Sequence, residues 1–160
     1  MDSVTSFIYG MSMMFFSMMA FLFWRKGKEM LFRMIMWLMI VVDLQLVKDM
    51  VFFLIYGFDN EHAWYLTSSL DMMIIPFYSF VLMELVKPGW FRWVKAFMLE
   101  LPFLLLPVFY IFTHNIIWFY VLSVWGAIYG CSTFILLIFL IRRYHRQLKE
   151  RFSYQENINP

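Results

Sequence analysis

Five polar side chains interrupt otherwise apolar stretches of this 160-residue chain: Asp43, Gln45, Lys48, Asp49 and Asp71. An ammonium or carboxylate at membrane depth costs roughly 2.5–3.5 kcal/mol on insertion scales, so such groups find a partner or a wet cavity. Gln45, Lys48 and Asp49 share one helical face, because steps of three and four residues bring side chains together. Lys48 lies roughly 12 Å along a helix from Tyr56, where its apolar stretch ends. Asp71 descends about as far from the other side of the same polar turn, so the two groups are matched in depth and can pair. Two accounts fit this cluster. It is polar glue between two antiparallel spans, or it is a sensing site in a small polar cavity where a ligand or ion competes for Lys48 or Asp71. Asp43 falls on the opposite face of the same stretch and needs a polar partner from the first or last span.

The elements that would position these residues are membrane spans. The chain is 63% hydrophobic and 22% aromatic, with a mean hydropathy of +0.70, far from the balance of a soluble domain. A helix crosses the hydrocarbon core with about 20 apolar residues. Five stretches meet this: residues 6–24, 30–56, 64–86, 96–112 and 116–141. The second is the most polar. The third contains Pro76, and the fourth is short and expected to be broken by Pro102 and Pro107. Lys87-Pro88-Gly89 is a strong stop, and Trp90 to Lys95 reads as an interfacial segment. The expected fold is an all-α membrane protein, a five-helix transmembrane domain over residues 1–141 with a basic cytoplasmic extension over 142–160. No cleavable signal peptide is expected, since Asp2 stands where a basic region would precede one.

Charge sets the threading. Of 13 Lys and Arg residues, all but Lys48 fall in three clusters: Arg25, Lys26, Lys28 and Arg33; Lys87, Arg92 and Lys95; and Arg142, Arg143, Arg146, Lys149 and Arg151. The turns at residues 57–63 and 113–115 carry none. Short cytoplasmic loops retain Lys and Arg, which places the N-terminus outside and the C-terminus in the cytoplasm.

The remaining polar groups receive simpler readings. Glu84 and Glu100 lie near the second basic cluster and are expected to form inner-face ion pairs with Lys87, Arg92 and Lys95. Ser123, Gly126, Gly130 and Thr133 form one stripe on the fifth span, with Gly126 and Gly130 in a GxxxG match. Small residues let helix backbones approach, for packing within the chain or for a homodimer seam. The 15 Met and 36 aromatic residues (20 Phe, 9 Tyr, 7 Trp) are scattered and suit lipid contact and packing. His62 and His114 sit in two outer turns and can meet, but two His make no complete metal site. The single Cys131 allows no intrachain disulfide. No nucleophile–base arrangement, glycine-rich phosphate loop, nucleic-acid-binding fold or cofactor motif is present, so neither catalysis nor a cofactor is expected.

The stretch from Arg142 to Arg151 is expected to leave the membrane as a basic helix, attracted to anionic headgroups by about 1 kcal/mol per basic residue. With the segment Gln147-Leu-Lys-Glu-Arg-Phe-Ser-Tyr-Gln-Glu-Asn-Ile-Asn159, the five-span layout resembles the N-terminal membrane region of bacterial signalling proteins. In those, a similar linker leads to a sensor histidine kinase core or an AraC-type helix-turn-helix domain. The chain has no phosphoacceptor box, ATP-binding motif or DNA-binding helices, so the resemblance lends no catalytic residue. It implies a sensor module of the bacterial cytoplasmic membrane, relaying a signal through the fifth span and the Arg142–Arg151 linker to an effector. Homodimerisation is commonly part of such relays. The alternatives are a small transporter or channel subunit and a structural subunit of a membrane complex.

Overall fold

The computed structural model describes residues 3–57 and 60–156, with side chains for residues 4–57 and 60–146. The chain is all-helical, 89% helix, and no strand occurs among the described residues. Six helices follow in order: α1 (Ser3–Lys26), α2 (Met30–Tyr56), α3 (Glu61–Met72), α4 (Ile75–Val86), α5 (Trp93–Thr113) and α6 (Ile117–Glu156).

Among the described residues, four segments are long and apolar enough to cross a membrane: Val4–Lys26, Glu61–Val86, Trp93–Thr113 and Ile117–Arg146. The 27-residue α2 stands outside that set and carries Arg33, Asp43, Lys48 and Asp49. The outer surface is one a water-soluble domain does not present, with Phe7 71%, Met14 72% and Phe112 80% exposed. Hydrocarbon is the solvent that tolerates it.

The segment formed by α3 and α4 is the centre of the bundle. It packs against α2, α5 and α6, whereas α1 packs mainly on α2. At the basic end, Met34 of α2, Phe80 of α4 and Ala96 of α5 form a buried cluster covered by Phe77, Trp90 and Phe91. At the opposite end, Trp64 and Tyr65 of α3 meet Phe119 of α6 at ring-centroid distances of 6.0 and 5.0 Å.

The prolines act in two different ways. The third stretch, expected as one span containing Pro76, divides into α3 and α4 at a turn through Met73 and Ile74, and Pro76 sits in the first turn of α4. Proline is favoured there, because its missing N–H would have no intrahelical partner. The fourth stretch, expected to be broken, is one helix running through Pro102 and Pro107. Neighbouring helices and local adjustments let membrane helices absorb interior prolines, and Pro107 is fully buried among them.

Helix ends are otherwise locally encoded. Asn60 caps α3 by accepting from the Ala63 N–H at 3.2 Å. His114 ends α5 in the left-handed region at φ 50°. The uninterrupted α6 has 40 residues, a length of about 60 Å at 1.5 Å per residue. That is about twice a hydrocarbon core of roughly 30 Å, so its basic C-terminal half extends beyond the apolar bundle. Arg142, Arg143 and Arg146 are exposed on it. The side chains of Lys149 and Arg151 lie outside the described residues.

Candidate functional site

The break between α3 and α4 lies two residues beyond Asp71, and Asp71 faces α2. Lys48 Nζ donates to Asp71 Oδ1 at 2.5 Å and to the Thr67 carbonyl at 3.1 Å. It also lies 2.8 Å from Asp49 Oδ1, a charge contact out of hydrogen-bonding alignment. One turn below, Gln45 Nε2 reaches the carbonyls of Leu70 and Asp71 at 3.3 and 3.4 Å. The depth-matched pair therefore forms, and α2 holds α3 by side chains that bind its backbone as well as its carboxylate. Lys48 is 17% exposed and Asp71 42% exposed, so the acid has the more open side of the pair.

The open side is a cavity of about 420 Å³. Thr5 and Tyr9 of α1, Phe52 and Phe53 of α2, and Trp64 and Thr67 of α3 contribute to its wall, with Asp49 and Asp71 beside them. It lies at the end of the bundle where α2 connects to α3, away from the three basic clusters. These aromatic wall residues were not among the sequence candidates. Their signal was faint, an aromatic at the end of each of three apolar stretches.

Asp43 faces the other way, as its position on α2 requires. Its Oδ2 accepts a hydrogen bond from Ser17 of α1, while Oδ1 is buried without a hydrogen-bond partner. Asp43 is thus tied to the α1–α2 seam and does not join Gln45, Lys48 and Asp49 in the cluster with Asp71.

The inner-face ion pairs do not form as expected. Glu84, only 5% exposed, accepts from the backbone N–H groups of Gly89 at 2.6 Å and Phe91 at 2.8 Å. The turn after Lys87 folds back over the carboxylate and presents amides where a Lys side chain was expected. Gly89, at φ 81°, takes the left-handed conformation that this turn needs. Lys95 lies over the Trp90 ring, 6.0 Å from its centroid. Glu100 turns inward, its Oε2 buried without a hydrogen-bond partner, on the wall of an apolar cavity of about 360 Å³ between α2, α4 and α5. Among the described residues, no ion pair joins Glu84 or Glu100 to Lys87, Arg92 or Lys95.

The small-residue stripe splits in two. Gly126 is buried against Ile75 and Phe103, where an added Cβ would meet side-chain atoms at 3.5 and 3.7 Å. Gly130 has nothing within 4 Å of that position. Ser123 Oγ donates to the Phe119 carbonyl at 2.9 Å and lies 3.9 Å from Met72 Sδ. Thr133 and Ser79 lie near the Tyr129 hydroxyl, and Ser79 Oγ donates to the Ile75 carbonyl at 3.2 Å. Most of the stripe thus serves packing of α6 on α3, α4 and α5.

His62 and His114 do meet, with ring centroids 6.4 Å apart, and Tyr110 donates to the His62 carbonyl at 3.4 Å. No group of three or more His, Cys, Asp or Glu that could hold a metal occurs among the described residues. Compared with family models, curated proteins and solved structures, the chain matches none.

Proposed function

We propose that this chain is a membrane receptor module of the bacterial cytoplasmic membrane. In this reading α2 spans with the other four segments, making five, with the N-terminus outside and the C-terminus in the cytoplasm. Confinement of Lys and Arg to alternate connections supports that orientation. The resemblance of the layout and of residues 147–159 to the membrane regions of sensor kinases and AraC-type regulators supports a signalling role.

One observation carries the reading. The Lys48–Asp71 pair borders an outward cavity, and Asp71 lies two residues before the break at Met73 and Ile74. A ligand that competes for Asp71 would loosen α3 from α2 beside the turn that joins α3 to α4. Trp64 belongs both to the cavity wall and to the contact with Phe119 at the start of α6. Movement of α3 would therefore reach α6 through the contacts of Trp64 and Tyr65 with Phe119 and travel along an unbroken helix into the basic linker. A ligand drives such a shift only by binding one arrangement more tightly than the other.

A transport role is the second reading, and the broken third span is what favours it. Transporters usually pair two discontinuous helices from structural repeats, and here α5 is continuous. The test is fusion of residues 1–160 to a reporter kinase or DNA-binding output, with Lys48→Ala and Asp71→Ala variants. Each substitution is expected to shift basal output. Unchanged output in both, together with solute flux in liposomes carrying the chain, overturns the receptor reading in favour of transport.

A further inference from the structure

The charges around the outer cavity specify what enters it. Among the described residues, two carboxylates, Asp49 and Asp71, line the cavity, and no Lys or Arg does. Lys48 stands behind them with its ammonium directed at Asp71 Oδ1, the Thr67 carbonyl and Asp49 Oδ1. An ammonium has three donors; two are taken by Asp71 Oδ1 and the Thr67 carbonyl, and the two carboxylates beside it oppose the approach of an anion. The three charged groups sum to −1, and Asp49 Oδ1 remains buried without an aligned donor. Four aromatic side chains, Tyr9, Phe52, Phe53 and Trp64, complete the wall. Aromatic rings attract cations and also bury apolar substituents. A volume of about 420 Å³ lies in the range of sites for organic molecules and exceeds the needs of a bare ion.

Resting on the receptor reading, we propose that this cavity binds a small organic cation, an ammonium group bearing an apolar substituent. Its nitrogen takes the place of Lys48 at Asp71, and its apolar part lies among Tyr9, Phe52 and Trp64. The exchange keeps Asp71 paired while removing the carboxylate tie between α3 and α2 and leaving the Gln45 tie to the α3 backbone. It therefore supplies the difference between two states that signalling requires.

Three probes of similar size isolate the charge: 2-phenylethylammonium, 2-phenylethanol and phenylacetate. Calorimetric titration of each into the full chain in lipid nanodiscs is expected to rank the cation first. The cation should bind about tenfold or more tighter than the alcohol, with phenylacetate weakest. Asp71→Asn is expected to weaken cation binding about tenfold, and Asp49→Asn gives a second reading of the same charge should Asp71→Asn fail to fold. Lys48→Met is expected to tighten cation binding several-fold, because it removes the resident competitor. Equal or tighter binding of the alcohol or phenylacetate, loss of cation binding in Lys48→Met, or binding of none of the probes overturns the proposal. The reporter fusion separates the two levels. Output that responds to Lys48→Ala and Asp71→Ala without cation binding leaves the receptor reading standing and removes only the ligand class.

Discussion

Asp71 and Glu84 are acids on the same central segment, and their surroundings differ in the one respect that separates a fixture from a switch. Glu84 is buried at the basic end and held by two backbone N–H groups of the following turn. Those donors are part of the chain and cannot swing away without unfolding the turn. Asp71, at the opposite end, is held by the tip of a flexible lysine and borders a cavity. Its donor can be exchanged for another of the same charge. The lesson is that a carboxylate in a membrane bundle is read from its donor: an amide donor indicates architecture, and a side-chain donor beside open space indicates exchange.

The sharpest way to break that comparison is to remove each acid. Glu84→Ala leaves two amides without their charged acceptor, and charged hydrogen bonds contribute about 1.5–3 kcal/mol each before the exposed Gly89 regains water. We expect a loss of about 2–4 kcal/mol in reversible unfolding from detergent micelles. Glu84→Gln should recover part of it, and titration of the outer cavity should be unaffected in whatever fraction folds. The Lys48–Asp71 pair should be worth less. A double-mutant cycle of Lys48→Met and Asp71→Asn is expected to give a coupling of about 1 kcal/mol, because Asp71 is 42% exposed. A coupling as large as the Glu84 loss would mean that the outer pair is an architectural lock, and the contrast would fail.

Which parts were legible in the sequence follows from the same physics. The bounds of α2 were, since Glu29 and Gly57 flank an uninterrupted helix of 27 residues. The Lys48–Asp71 pair was legible because helical rise converts sequence distance into depth, and two lone charges at one depth have few other partners. For Asp43 the sequence pointed only to a polar side chain of the first or last span, and the structure selects Ser17 of the first. Glu84 was not. Counting nearby cations assumes that side chains reach first, whereas the Lys87-Pro88-Gly89 turn brings backbone amides closer than any lysine tip. The prolines were misread because a proline says only that one N–H is missing. Whether the helix breaks depends on the neighbours: Pro107 is fully enclosed within an intact helix, while Pro76 starts a new helix after a break that Met73 and Ile74 supply.

The smallest effect tests whether the exchangeable end acts within one chain or across two. Gly126 and Gly130 belong to one GxxxG match but face different surroundings, buried side chains for the first and open space for the second. Gly126→Val pushes methyl groups toward Ile75 and Phe103 and should cost about 1–3 kcal/mol by overpacking. Gly130→Val should change the stability of the isolated chain by less than about 0.5 kcal/mol. If the module signals as a homodimer through this stripe, the same Gly130→Val should lower dimer formation, read by crosslinking or by energy transfer between labelled chains in vesicles. It should do so without altering cation binding, because the cavity lies between α1, α2 and α3. A Gly130→Val chain that dimerises normally and signals normally would confine the stripe to packing within one chain. The relay from Asp71 would then have to run within one chain, through the packing of α3 and α4 on α6.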